Sequence, residues 1–205
     1  RTSSIQLWVA ISNHWLAPRL AAFCADHPRI DIRIVASDSH KDLRDHDANI
    51  GIWYGDGNWS TVDAVKLSGS VTFPVGEPDY LREHGPITKP EDLLDHTILH
   101  LEGAQHSIED WEWWLSQAKV VNRKPRRRIV FNSYVDVLQA AMSGQGLALG
   151  YSPTIDFLLA KGTLIKALDM EFSKGFSIYQ VTPRNLPATM AAKQFSAWLK
   201  AQNEA

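Results

Sequence analysis

The sequence predicts an α/β protein of two lobes, and three observations carry that prediction. Apolar segments of strand character alternate with segments of helical spacing along 205 residues, a length sufficient for two lobes with their own cores. A second strand and helix series starts near Asp92-Leu93, beyond a stretch punctuated by Pro78-Asp79-Tyr80 and Gly85-Pro86. Within that series, the run from Phe131 to Tyr151, FNSYVDVLQAAMSGQGLALGY, reads as strand end, helix and strand. Successive strand-helix-strand crossovers imply parallel sheets with helices on their faces.

From the N-terminus, Ile5, Leu7, Val9 and Ile11 alternate as a strand, and a loop of Ser12, Asn13 and His14 leads into a helix. Trp15, Leu16, Leu20 and Phe23 give that helix its apolar face. Pro18 is tolerated in its first turn, and His27-Pro28 ends it. Cys24 is expected to be buried in its interior. Ile30, Ile32, Ile34 and Val35 form a second strand closed by Ser37, Asp38 and Ser39; a short polar helix over 40–47 and a third strand over 48–54 follow. After the loop Gly55-Asp56-Gly57-Asn58, strand-like segments surround Leu67, Val71 and Phe73. The second series predicts strands over 97–101, 128–131, 147–151 and 164–168 and helices over 108–117, 133–143 and 154–160. One more strand covers 176–181. The last helix follows Pro187, with Ala191, Phe195, Trp198 and Leu199 on one face.

The clearest unit is the stretch from Asn132 to Tyr151. Asn132 and Ser133 are good N-cap residues, Tyr134, Leu138, Ala141 and Met142 recur at helical spacing, and Gly144 and Gly146 stop the helix. Leu147, Ala148 and Leu149 then look like a buried parallel strand. A helix N-terminus at the carboxyl end of such a strand presents backbone N–H groups and a positive dipole end, which suits a carboxylate or phosphate. A plain packing unit has the same sequence signature, so both readings stand.

Composition narrows the function. Hydrophobic residues at 44% and charged residues at 21% are those of an ordinary globular chain, and no apolar run is long enough for a membrane span. A formal net charge of −2 argues against nucleic-acid binding by bulk electrostatics. The single cysteine rules out an internal disulfide and fits a reducing compartment. There is no signal-peptide pattern, no G-x-S-x-G elbow, no P-loop and no G-x-G-x-x-G after a strand, so nothing demands an enzyme and no cofactor is expected.

Four clusters have two readings each. His100, Glu102 and His106, and likewise His40, Asp42, His46 and Asp47, lie close in sequence without a recognised metal spacing, so a metal is not expected. The run Asn122 to Arg128, NRKPRRR, is either a solvated loop leading into a sheet edge or a contact for an acidic partner. Trp53, Tyr54, Trp59 and Tyr151 stand at strand ends, where they either wall a pocket suited to a cation or pack the core. Trp111, Trp113 and Trp114 crowd one helix and are expected between that helix and its sheet.

The order of these features resembles a known family. Trp15-Leu16-Ala17-Pro18-Arg19-Leu20 with Phe23 and His27-Pro28, the IDIRI strand, the ANIGIWYGDGNW segment, the turn Thr88-Lys89-Pro90-Glu91-Asp92-Leu93 and LQAAMSGQGLALG resemble the effector-binding domain of LysR-type transcriptional regulators, in the branch of the glycine-cleavage activator. The likeness runs over nearly all 205 residues in order. It implies a periplasmic-binding-protein-like fold of type II, with two Rossmann-like subdomains joined by crossover strands near 72–75 and 177–181. Subdomain I would comprise 1–73 and 180–205, and subdomain II would comprise 74–179. An inducer would sit between them, and a winged helix-turn-helix for DNA would precede Arg1.

By the same resemblance, effector-facing positions are Ser12, Asn13 and His14 in the first loop and Ser37 and Asp38 after the second strand, to which the reading of aromatics at strand ends adds Trp53 and Tyr54 on the third. In the second lobe they are Leu101 and Glu102, Asn132 and Ser133, and Tyr151. Trp53 stands where many relatives carry Arg, which favours an aromatic or cationic effector over an acidic one. The expected partner is a small molecule, a carboxylate, an amino acid or a quaternary amine. The resemblance further implies a cytoplasmic homodimer or tetramer that pairs the helix holding Trp15 to Cys24 with the helix holding Ser133 to Met142, and no catalysis. The rival reading is an extracytoplasmic solute-binding protein of a transporter, which shares the fold.

Overall fold

Burial of Ile5 and Leu7 on one face and of Ser4 and Gln6 on the other puts β1 (Thr2–Leu7) inside a sheet rather than at its edge. The computed structural model describes residues 2–37, 48–102, 111–120, 123–184 and 187–202. Its chain forms two units, Arg1–Ser70 with Gly175–Ala205, and Val71–Lys174. The passages between them fall at Ser70–Val71 and Lys174–Gly175, a few residues ahead of the crossings expected from the resemblance.

In the first unit β1 lies between β2 (Asp31–Ala36) and β3 (Ile50–Gly55), parallel to both. β10 (Ser177–Pro183) runs antiparallel to β3 and carries β4 (Val62–Gly69) on its other side, giving the order β2-β1-β3-β10-β4. α1 (Ala17–Asp26) and α6 (Met190–Ala201) meet through Phe23, whose ring lies edge-on to Phe195 at 5.1 Å and Trp198 at 5.4 Å. Thr189 caps α6 by accepting the Ala192 N–H at 3.1 Å.

The start of this unit differs from the expectation. β1 ends at Leu7, so Val9 and Ile11 are not strand residues, and Ser12, Asn13 and His14 are not a loop. They lie in a π-helical turn, Ile11–Leu16, continuous with α1, in which the Ala17 N–H reaches the Ser12 carbonyl. Pro18 supplies the reason: it has no N–H to donate and its ring crowds the preceding turn, and a widened turn relieves both. Cys24 is exposed, not buried, because it sits about 100° around the helix from the buried Phe23. The helix expected over 40–47 lies outside the described residues.

The second unit repeats the plan. β6 (Thr97–Leu101) pairs in parallel with β7 (Arg127–Phe131), and β5 (Val71–Gly76) lies antiparallel between β8 (Ala148–Ser152) and β9 (Ile165–Lys166). The two ladders meet at Leu147, whose N–H and carbonyl bond Thr97 and Leu99 at 2.8 Å each, a parallel bridge to β6. The combined order β7-β6-β8-β5-β9 matches that of the first unit. Leu147, just ahead of β8, makes the parallel bridge to β6 expected of this strand, while the full ladder of β8 is antiparallel to β5.

Helices α2 (Pro78–His84), α3 (Trp111–Gln117), α4 (Tyr134–Met142) and α5 (Asp156–Ala160) complete this unit. α2 starts where Glu77 accepts the Tyr80 N–H at 2.7 Å with Pro78 in the first turn, a capping signature that the sequence reading treated as loop punctuation. Trp111 and Trp114 are buried as expected; their indole N–H groups donate to the carbonyls of Leu99 at 3.0 Å and Thr72 at 3.1 Å. Trp113 is only half-buried, with Lys174 over its ring.

Buried His96 lies beside Tyr80, ring centroids 5.8 Å apart, and 6.4 Å from His84. Desolvation, followed by the charge of His84, holds its pKa below the ordinary 6.5, against smaller opposing effects of Asp95 and Asp92. The folded state therefore binds this proton less readily than the unfolded state. Stability is fully present above the unfolded pKa and is lost as pH falls below it. Urea unfolding at about pH 7.5 and about pH 5.5 is expected to show a smaller acid loss in His96→Gln than in the parent; equal losses would remove His96 from the account.

Candidate functional site at the carboxyl ends of the parallel strands

The residues singled out from the sequence gather at the carboxyl ends of parallel strands, where open α/β sheets bind ligands. In the first unit β1 passes into its helix at Trp8, whose carbonyl accepts the Ser12 N–H at 2.9 Å. Asn13 is exposed; Ser12 and His14 are half-buried. The His14 Nε2 is itself buried and has no hydrogen-bond partner among the described residues, and burial lowers the pKa of the ring, which favours its neutral form. A buried polar atom without a partner calls for an explanation, and π turns recur at functional sites. Beyond β2, the Ser37 N–H continues the ladder to the Leu7 carbonyl at 2.9 Å; Asp38 lies outside the described residues.

Trp53 and Tyr54 do not share a wall. Adjacent strand residues point to opposite faces. Trp53 donates to the Gln6 side chain at 3.3 Å and meets Trp59 edge-on at 5.3 Å, in a small core with Ala48, Val62 and Val181. Tyr54 faces Trp8 at 6.1 Å and Phe176 at 5.9 Å, with its hydroxyl 3.4 Å from that of Ser70. Both are buried, so the aromatic cage over Trp53, Tyr54 and Trp59 is not assembled in this unit.

In the second unit Leu101 is buried at the end of β6, and the exposed Glu102 donates its N–H to the Phe131 carbonyl at 2.8 Å. Asn132 is exposed at the end of β7. Ser133 has the extended backbone of an N-cap residue, φ −131° and ψ 127°, and its carbonyl accepts the Val137 N–H at 3.2 Å. Its hydroxyl makes no capping bond, which corrects the expectation that this side chain serves as the cap. The first turn of α4 therefore keeps backbone donors that its cap residue does not satisfy. Tyr151 is buried against Tyr134, ring centroids 4.7 Å apart, while the Tyr134 hydroxyl donates to the Leu149 carbonyl at 2.9 Å.

Thr154, just past β8, was not singled out from the sequence. It is fully buried and its hydroxyl has no hydrogen-bond partner among the described residues, as with His14 in the other unit. Ser152-Pro153 marks a turn there, but composition gives no sign that the next hydroxyl is enclosed. Among the described residues no three His, Cys, Asp or Glu side chains could hold a metal ion; His40, Asp42, His46, Asp47 and His106 lie outside them. No described helix is long and apolar enough to cross a membrane.

The LysR substrate binding domain matches residues 3–204, nearly the whole chain. The chain belongs to the LysR substrate binding domain family. It is 34% identical over 162 residues to the glycine cleavage system transcriptional activator of Escherichia coli K12, covering 79% of this chain and 52% of that protein. It is 31% identical over 189 residues to the HTH-type transcriptional activator AmpR of Rhodobacter capsulatus, covering 92% of this chain and 62% of that protein. The chain thus spans about half the length of the glycine cleavage activator it matches.

Among solved structures, the effector domain of AmpR from Pseudomonas aeruginosa superposes with a TM-score of 0.82 at 25% identity, over 99% of this chain and 95% of that one. The AmpR effector binding domain from Citrobacter freundii, at 23% identity and a TM-score of 0.83 over 100% and 98% of the two chains, shares the fold. The LysR-family fold is the type II periplasmic-binding-protein-like α/β arrangement, as the resemblance implied.

Proposed function

We propose that this chain senses a small-molecule effector for a LysR-type transcriptional regulator, taking the ligand with polar groups at the carboxyl ends of its parallel strands and relaying binding to a DNA-binding region elsewhere in the protein. The observation that carries the effector site is Ser133, a helix N-cap whose hydroxyl is not spent on its own helix. The relatives named above are transcriptional activators, which supports a regulator over a solute-binding protein. The mechanism is differential affinity: the effector favours whichever arrangement of subdomains or subunits it binds more tightly, and no covalent step is involved. On this reading the protein works in the cytoplasm as a homodimer or tetramer, with α1 of one copy facing α4 of another, and meets DNA through residues outside this chain.

The sites proposed are Ser12, Asn13, His14, Ser37 and Asp38 in the first unit and Glu102, Asn132, Ser133 and Thr154 in the second, with Leu101, Trp53, Tyr54 and Tyr151 as the packed walls behind them. Backbone N–H groups, hydroxyls and a neutral imidazole suit a carboxylate or an amino acid. Trp53 is already engaged by Gln6 and Trp59, which weighs against an open aromatic face for a quaternary amine.

A thermal-shift screen of amino acids, aromatic acids and quaternary amines tests this, because ligand at a hundred times its dissociation constant adds ~2.7 kcal/mol of stability. Ser133→Ala is expected to weaken the ligand found by about tenfold, ~1.4 kcal/mol, with little loss of stability. Ser37→Ala should weaken the same ligand. Ser143→Ala, at the far end of α4, should not. A ligand held equally by Ser133→Ala, Ser37→Ala and the parent would reject these residues as the site.

A further inference from the structure

A cavity of about 430 Å³ lies within the Val71–Lys174 unit, on the sheet face that α3 covers. Its floor is apolar: Leu94, Ile98 and Trp111 are buried there, and Leu115 joins them. Trp111 is held in place by its indole bond to the Leu99 carbonyl. The β6–β7 register sets Arg128 beside Ile98 and Val130 beside His100, and partners in a ladder share a face. Val130 is 41% exposed, so apolar surface continues to the rim along the edge strand.

The rim is cationic although the chain as a whole carries a net charge of −2. Arg123 is already committed, donating to the Asp95 carboxylate at 2.6 Å and to the Glu91 carbonyl at 3.0 Å. Lys124 and Arg128 also line the cavity and make no ion pair among the described residues. Arg126 and Arg127 do not line it, and exposed cations on an edge strand have a sufficient role in blocking edge-to-edge pairing. Glu112 contributes one carboxylate from α3.

We propose that this cavity binds a small carboxylic acid with an aromatic or branched apolar body, at a site separate from the effector groups. The apolar body enters the floor over Trp111 and Leu115, and the carboxylate pairs with Arg128 and Lys124 at the mouth. The volume lies in the range of small-molecule pockets, and a few convergent polar groups on apolar walls are what such pockets show. The two cations at the mouth select an anion over a cation.

Phenylacetate titrated into the ¹⁵N-labelled chain provides the test, read at the Trp111 indole N–H and identified by its loss in Trp111→Phe. The expected result is a saturable shift with a dissociation constant below about 1 mM. Phenylacetamide, which has the same body without the charge, should bind at least about tenfold more weakly. So should phenylacetate to the Lys124→Gln/Arg128→Gln variant, whose two changes are at exposed positions. Ser133→Ala should bind phenylacetate like the parent, which separates this site from the effector groups. The proposal is overturned by no saturable shift up to about 10 mM, by equal binding of the amide, by parent-like affinity in the double variant, or by an effect of Ser133→Ala equal to that of the double variant.

Discussion

Trp114→Ala is expected to lower the unfolding free energy by about 3–5 kcal/mol, the range for removing a large buried aromatic side chain. Trp114 is the largest side chain fully enclosed in the described structure, and it touches Trp111 at 6.4 Å and Phe172 at 5.3 Å between ring centroids. The cavity left behind is the main cost. The lost hydrogen bond matters less, because the Thr72 carbonyl keeps a second donor, the Phe172 N–H at 3.0 Å. Trp114→Phe, which refills most of the space, should lose about 1–2 kcal/mol. Trp113→Ala should lose less than about 1.5 kcal/mol, since that ring is half-buried and its ring contacts are the edge of Phe172 at 6.4 Å and the Lys174 ammonium. Urea unfolding of the three variants checks the order, and a Trp113→Ala loss as large as that of Trp114→Ala would contradict the packing described.

Gly146→Ala comes next. A Cβ there would collide with the Thr97 carbonyl oxygen, the acceptor of the Leu147 N–H that joins β8 to β6. The obstacle is backbone, so no side chain can swing aside, and φ of +157° is itself awkward for alanine. A loss of about 2–4 kcal/mol is expected. Gly144→Ala makes the comparison clean: its φ of +68° is the left-handed end of α4, but its new Cβ would meet only side-chain atoms at ordinary distances, the Tyr80 Cβ at 3.7 Å and the Glu77 Oε2 at 3.8 Å. That change should cost about 1 kcal/mol. A denaturation midpoint for Gly146→Ala no lower than that for Gly144→Ala would refute the close approach at Thr97.

Most strands and the larger helices were legible because burial imposes period two or period 3.6 on their apolar residues. The failures have separate physical causes. Ile5, Leu7, Val9 and Ile11 keep alternating past the end of β1, and only the backbone demand of Pro18, further along the chain, reveals a helix that begins earlier and widens. α2 was hidden by reading Pro78 and Gly85 as breaks, although Glu77-Pro78 opens a helix and Gly85 closes it at φ +96°. That Trp53 and Tyr54 face opposite ways follows from their being neighbours on a strand and was available without coordinates. The unspent hydroxyl of Ser133 and the enclosed one of Thr154 were not, since hydrogen-bond partners depend on tertiary placement.

The position of β10 bears on how the chain emerges from the ribosome. β4 has only β10 as a neighbour in its sheet, and β3 meets it on the side away from β1, yet the residues of β10 are made after the entire Val71–Lys174 unit. During synthesis the continuous unit can close by itself while the first one waits with a slot in its sheet. Two strand edges stay unpaired for the time needed to add more than a hundred residues, several seconds or more at about 5–20 residues per second. Such edges recruit other chains. The nascent first unit is therefore the part of this molecule that most needs a chaperone, and its vulnerability ends only when Ser177–Pro183 threads between β3 and β4.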